Sequence, residues 1–226
     1  MVDDREPSAG DPAWPLIEAW SAEAANPHRL VPAEDAVGIA TLDSLEGITE
    51  WSALGALARR CAALVVDDWL LVLGAGGQGY PGLREFNEPG PSALDGALLV
   101  GVDVMGGGFA INGGRLGCGQ PGEVCYLGPD TLEWMECGLG HAAFVQWALS
   151  GSIDQFYEDL RWSDWRSDVR ALSPGQGIFS YPPPWTAEGR GSDVHRAPVP
   201  LLEAWGVVLS TARQIGGVAG ADSGDG

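Results

Sequence analysis

Between Gly101 and Trp134 the chain alternates short apolar runs with glycine: Gly-Val-Asp-Val-Met-Gly-Gly-Gly-Phe-Ala-Ile-Asn-Gly-Gly, then Glu-Val-Cys-Tyr-Leu-Gly-Pro-Asp-Thr-Leu-Glu-Trp. No helix tolerates glycine at that density, because each interior glycine costs about 1 kcal/mol relative to alanine. Short strands joined by glycine turns tolerate it well. Asn112-Gly113 sits between apolar residues and Arg115-Leu116, which is a strong hairpin signal, since a type I′ turn needs positive φ at both central residues. The middle of the chain is therefore expected to be an antiparallel meander.

Apolar runs at Leu64–Val66 and Trp69–Leu73 flank Asp67-Asp68 and read as two further strands. The second is apolar on both faces, as a covered strand should be. Ala97–Val102 and Glu123–Leu127 read as strands too. Helical patterns lie outside this centre. Leu16, Ile17, Trp20 and Ala24 make one stripe, opened by Asp11-Pro12. Val37, Ala40, Leu45 and Ile48 make a second. Ala53–Ala63 favours helix by length and alanine content. Gly140–Leu149 carries Phe144 and Trp147; Ile153, Phe156, Tyr157 and Leu160 follow at helical spacing; Pro200 opens a last helix through Trp205 to Ile215. Strands in the middle and helices at both ends predict an α+β fold: a central, largely antiparallel sheet with its hairpin at Asn112-Gly113, packed on one side by helices from both chain ends. Residues 1–10 read as a disordered N-terminus, 11–215 as a single domain, and 216–226 as a disordered acidic tail.

The chain has 31 acidic against 12 basic residues, a net charge of -19, and all twelve bases are arginine. Without lysine there is no Schiff base and no phosphate-loop lysine. The negative charge repels a nucleic-acid backbone and favours a basic protein partner. No apolar run reaches the ~18 residues of a membrane span, and the first residues lack the apolar core of a signal peptide. Four cysteines are too few for a disulfide framework. These features predict a cytoplasmic protein that binds neither nucleic acid nor membrane.

The chemical motifs are weak. Gly74-Ala75-Gly76-Gly77-Gln78-Gly79 matches a dinucleotide fingerprint, but Tyr80-Pro81-Gly82 follows where a helix must start. Cys118, Cys125, Cys137 and His141 lack the close Cys-x2-Cys pair of a zinc site. No Gly-x-Ser-x-Gly elbow accompanies the three histidines. No catalytic residue, metal or cofactor is assigned. The candidates for a binding surface are Asp103, Asp130 and Glu133 near strand ends, Trp134, Trp162 and Trp185 near element ends beside charge, Arg161, and Asn112.

The run Phe109–Gly114, with Tyr126-Leu127-Gly128-Pro129-Asp130-Thr131-Leu132-Glu133-Trp134, resembles domain-of-unknown-function family 2625. Further matches follow in order: Asp67-Asp68-Trp69-Leu70 with Leu73-Gly74, Phe156-Tyr157, Arg161-Trp162, Tyr181-Pro182 with Trp185-Thr186, and Pro198-Val199-Pro200 with Glu203. The resemblance spans roughly Trp14 to Ile215 and implies no catalytic residue. More distantly, Gly96–Leu149 is similar to the SUKH immunity-protein superfamily, through a glycine-glycine-aromatic turn and a helix bearing Phe144 and Trp147. That likeness implies an α+β fold and a non-enzymatic, protein-binding, immunity-like role. The alternative is a small-molecule or carbohydrate-processing hydrolase using carboxylates at strand ends.

Overall fold

The computed structural model describes residues 13–191 and 193–221, the last five by backbone alone. The expected loose N-terminus and its Asp11-Pro12 helix start lie outside the described residues. So does the expected tail from 222 onwards.

The predicted α+β architecture is present. Strands β1 (His28–Pro32), β2 (Cys61–Val66), β3 (Leu70–Leu73), β4 (Ala97–Asp103), β5 (Gly108–Asn112), β6 (Glu123–Leu127) and β7 (Trp134–Gly140) form a seven-stranded sheet in chain order. Each strand runs antiparallel to the next. A separate ribbon pairs β8 (Gln176–Tyr181) with β9 (His195–Pro200). The helices are α1 (Ala13–Ala22), α2 (Asp35–Ser44), α3 (Ala53–Arg60), α4 (Leu83–Asn87), α5 (His141–Ser150), α6 (Ile153–Phe156), α7 (Trp165–Arg170) and α8 (Leu201–Ala221). The last helix runs past residue 216, where the sequence suggests a tail.

Strict up-and-down order sorts the connections. The β2–β3, β4–β5 and β6–β7 turns fall at one end of the sheet, and the longer connections fall at the other. The tight turn with two positive φ angles is at Asp67-Asp68, both at φ 53°, not at Asn112-Gly113. It is closed by the Trp69 N–H donating to the Val66 carbonyl at 3.0 Å. Strands β5 and β6 do form a hairpin leaving β5 at Asn112, but residues 113–122 make a wide loop. The cause is the buried Asn112 side chain. Its oxygen accepts the Gly114 and Leu116 N–H groups at 2.7 and 3.3 Å, and its amide donates to the Cys118 carbonyl at 2.8 Å. The positive φ angles of that loop fall on Gly114, Gly117, Gly119 and Gly122.

Helices cover both faces rather than one. Phe109 packs on Phe144 of α5 with ring centroids 4.8 Å apart. A Cβ on the adjacent Gly108 would sit 2.3 Å from the Trp205 ring of α8. Neighbouring strand residues point to opposite faces, so α5 and α8 lie on opposite sides. Helices α1, α3 and α5 pack together, and α8 packs on the β8–β9 ribbon. Trp205 is fully buried, and its indole N–H donates to the Ser92 carbonyl at 3.0 Å.

Two helical stripes differ from expectation. Helix α2 buries Gly38 and Thr41, while Ala40 is exposed. A Cβ at Gly38 would stand 2.0 Å from the Arg59 carbonyl oxygen, so glycine is what lets α2 reach α3. Gly38→Ala gains about 1 kcal/mol of helix propensity. The overlap costs typically 1–3 kcal/mol once the backbones part, so a net loss of stability is expected in urea denaturation. Helix α6 stops at Phe156 instead of continuing to Leu160. The segment still buries Ile153 and Tyr157 as predicted.

Candidate functional site: an arginine-lined cleft

The three turns at one end of the sheet bring the strand-end acids together. Asp67 occupies a left-handed position that Asp tolerates better than most residues. Its N–H donates to the Pro27 carbonyl at 2.6 Å, and its carboxylate points inward with 5% of the side chain exposed. There Oδ2 accepts from Arg161 Nη2 at 2.8 Å and Oδ1 from Arg166 Nη1 at 2.9 Å. Arg161 also pairs with Asp154. Only 6% of the Arg161 side chain is exposed. Its guanidinium carbon lies 3.9, 5.1 and 5.5 Å from the rings of Trp165, Trp69 and Tyr157. Burial pulls the Arg161 pKa below its ordinary value, and the charges of Asp67 and Asp154 oppose that shift.

An unbroken run of aromatic contacts connects this seat to the core. Centroids are 4.8 Å apart for Phe144–Phe109, 4.5 Å for Phe109–Tyr126, 5.0 Å for Tyr126–Phe156, 4.8 Å for Phe156–Tyr157 and 5.5 Å for Tyr157–Trp69. Such pairs add about 0.5–1.5 kcal/mol each beyond their buried area. Arg161 is thus held on a rigid platform.

Beside Arg161 opens a cleft of about 600 Å³. Its walls are Met105 of the β4–β5 turn, Asp130 of the β6–β7 turn, Asp159 to Trp162, Ser180 of β8, Pro184, Gly189 to Gly191, and Arg196 of β9. The Arg196 guanidinium lies 4.2 Å from the Trp162 ring centroid. Burial lowers its pKa from the ordinary value, and the nearby charge of Asp168 works against that. Arg190 reaches only the Asp130 backbone carbonyl, at 3.5 Å. Neither Arg190 nor Arg196 forms an ion pair among the described residues. Three buried polar atoms of the cleft lining also lack a partner there: Arg161 Nε, Arg196 Nε and Ser180 Oγ. Native structures leave few such groups unpaired, and each one asks for a reason.

Asp130, Arg161 and Trp162 are the sequence candidates that meet in this cleft. Trp185 borders a smaller cavity that shares Met105 and Ser180 with it. Asp103 is not on a binding surface: it is fully buried behind the cleft. Its Oδ1 accepts the N–H groups of Met105 and Gly107, each at 2.9 Å, and its Oδ2 accepts the Tyr126 hydroxyl at 2.6 Å. A side chain on Gly107 would collide with both Asp103 and Tyr126, at 2.2 and 2.5 Å. Burial pushes the Asp103 carboxyl up to about 7, against the pull of these three hydrogen bonds. Asn112 is also not at the surface; it is 3% exposed and lies at the far end of the sheet. Glu133 is exposed, and Trp134 is half-buried at the start of edge strand β7.

Ser180, Arg190 and Arg196 were not singled out by sequence. They fall in a proline- and glycine-rich stretch that reads as loop. Arginine spacing gives no usable signal for them, because Arg59-Arg60 and Arg161, Arg166 and Arg170 are as close together elsewhere in the chain.

Other groups offer less. A depression of about 430 Å³ over Val65, Leu71 and Val102 is rimmed by Arg29 and Asp68, which already pair with each other. Both ring nitrogens of His141 are shut from solvent without a partner among the described residues, and burial pushes its pKa down to about 4. Burial also raises the thiols, Cys61 to about 12 and Cys137 to about 11. No group of three or more metal-binding side chains occurs among the described residues. The Gly74–Gly79 run turns back on itself through a Gly77–Tyr80 bridge, and the next helix starts only at Leu83. Among the described residues no helix is long and apolar enough to cross a membrane.

Comparison with known proteins adds a family. The uncharacterized protein YbfG of Escherichia coli (strain K12) is 36% identical over 199 residues, which is 86% of this chain and 89% of that protein. An uncharacterized protein of Haemophilus influenzae (strain ATCC 51907 / DSM 11121 / KW20 / Rd) is 30% identical over 177 residues, 76% of each chain. No solved structure matches significantly. The family model described as "Protein of unknown function DUF2625" matches residues 7–204. The match takes in the turn acids, the Arg161-Trp162 pair and the β8–β9 ribbon, and the chain belongs to the DUF2625 family.

Proposed function

We propose that this protein is a non-enzymatic binding protein whose ligand is a small organic anion held in the arginine cleft. The observation that carries the reading is the pair of arginines, Arg190 and Arg196, that line one cleft without an acidic partner among the described residues, in a chain of net charge -19. Thirty-one acids are available to neutralise twelve bases. Arg60, Arg84 and Arg213 also lack an ion pair among the described residues; what distinguishes Arg190 and Arg196 is that they share a cleft with the buried, unpartnered Ser180 hydroxyl, which fits an external anion as their partner.

The hydrolase alternative loses Asp103, whose oxygens are taken up by the β4–β5 turn and Tyr126. It would have to run on Asp130 and Asp159. A second reading is docking of a basic protein in the manner of an immunity protein, supported by the net charge of -19 and the distant SUKH likeness. A basic protein from the native host that binds the Arg190→Gln/Arg196→Gln variant as well as the wild type would favour that reading over the cleft. The cytoplasm is the proposed location, in keeping with four free cysteines.

Thermal unfolding with and without phosphate tests the cleft. A ligand at 100 times its Kd adds about 2.7 kcal/mol, which for a domain of this size raises Tm by several degrees, at ~2–4 °C per kcal/mol. The doubly substituted variant should melt near the wild type without anion and lose the phosphate-induced rise. An equal rise in both proteins would sink the proposal.

A further inference from the structure

The donors around the cleft narrow the kind of anion. Arg190 and Arg196 bring two positive charges that are unpaired among the described residues. Ser180 Oγ, only 3% exposed as a residue, and the Arg161 and Arg196 Nε–H groups add buried donors without partners. A carboxylate brings one charge and two oxygens. A phosphate monoester brings ~1.5–2 charges and three strong acceptor oxygens. The second matches the two arginines in charge and the three unpartnered donors in acceptor number.

Size and lining then constrain the rest of the ligand. At about 600 Å³ the cleft is too large for inorganic phosphate alone and falls in the usual range for small-molecule sites, ~300–1,000 Å³. Trp162 is the one aromatic side chain among its lining residues. One face of Trp162 lies under the Arg196 guanidinium, and its ring also packs 5.9 Å from Trp69. The acids beside the arginines are Asp130, half-buried, and Asp159, exposed, with Met105, Leu160 and Pro184 as apolar wall. Carboxylates repel the phosphoryl group but accept hydrogen bonds from hydroxyls. An anionic head with a hydroxyl-rich body satisfies both ends.

Resting on the anion-binding reading above, we infer that the cleft between Arg161, Ser180, Arg190 and Arg196 takes a phosphorylated polyol or sugar, with phosphate on the arginines and hydroxyls on Asp130 and Asp159. The arginines supply affinity for any phosphate. The two acids supply selectivity for a hydroxylated body over bare phosphate.

Isothermal titration calorimetry on the full chain tests this with glucose 6-phosphate, ribose 5-phosphate, inorganic phosphate and gluconate as probes. A sugar phosphate should bind at least tenfold more tightly than inorganic phosphate and gluconate. Arg196→Gln should weaken both phosphates tenfold or more. Asp130→Asn/Asp159→Asn should erase the preference for sugar phosphate while leaving inorganic phosphate bound as well or better. Far-ultraviolet circular dichroism and the melting temperature confirm that each variant is folded. Gluconate binding as tightly as the sugar phosphates overturns this inference while leaving the anion reading intact. Inorganic phosphate binding as tightly as the sugar phosphates overturns the polyol assignment in the same way. Heat signals that are absent for every probe overturn both.

Discussion

Replacing Asp67 with asparagine lowers the unfolding free energy by up to about 3–5 kcal/mol, the usual cost of leaving a buried charge unpaired. Asparagine keeps the shape and tolerates the left-handed backbone, so the loss reports on charge alone. The group left short is Arg161, whose side chain is 6% exposed and boxed by Trp69, Tyr157 and Trp165, and which keeps the solvent-exposed Asp154 as an acidic partner. The other pairs in the network rank far lower. Asp154 is 75% exposed and Arg166 47% exposed, and pairs so open to solvent contribute about 0–1 kcal/mol. Denaturant titration of Asp67→Asn, Asp154→Ala and Arg166→Ala should therefore give one large loss and two small ones. Adding Arg161→Met to Asp67→Asn should recover part of the loss, since it removes the buried charge that Asp67 neutralised. Three equal losses would mean the network is no more than a solvated surface cluster.

Asp103 should leave a mark on the pH dependence of stability. Its folded pKa stands at about 7 against an ordinary value of 3.8, with burial as the first cause. Between those values the folded protein holds a proton that the unfolded chain has released. The contribution of this group is therefore complete below pH 3.8 and is lost as pH rises through about 7. Three pKa units correspond to roughly 4 kcal/mol. His141 pulls the other way over part of the same range: its pKa is lowered from 6.5 to about 4, so its contribution is present above 6.5 and lost as pH falls through 4. The wild-type curve alone mixes the two. The informative quantity is the difference between wild type and Asp103→Asn, because asparagine can accept from Met105 and Gly107 and donate to the Tyr126 oxygen. That difference should fall by several kcal/mol from pH 4 to pH 8. A flat or rising difference would show that the three hydrogen bonds outweigh desolvation.

Much of the central sheet could be read in advance because its signals are local. Apolar strands β2, β3, β4 and β6 announce themselves by residue type alone. The strand-end acids were visible too, and up-and-down order is what places Asp67, Asp103 and Asp130 at one end. What stayed hidden depends on tertiary context. Asn112 looked like a hairpin residue because Asn-Gly usually is one, but here its amide is buried and shapes a wide loop. Strand β7 is an edge strand with glycines at 138 and 140 and a bulge against β6, so its alternation is faint. Strand β9 contains Pro198 and Pro200, which argue against a strand by sequence; a two-stranded ribbon has only edges, where proline is tolerated. The cleft inherits that blindness. Half of its walls belong to the β8–β9 ribbon and the turn inside it, and no periodicity in the sequence points to Ser180, Arg190 or Arg196.

The most direct test of the cleft is nuclear magnetic resonance of the arginine Nε–H groups, assigned by single substitutions. Arg161 and Arg196 carry Nε atoms that are buried and unpartnered, whereas Arg115 pairs with Asp95 on the open surface and serves as the internal control. Titration with phosphate or gluconate should move the Arg161 and Arg196 signals saturably and leave Arg115 in place. Signals that stay fixed with both anions, or that drift together with Arg115, would contradict an anion site in this cleft.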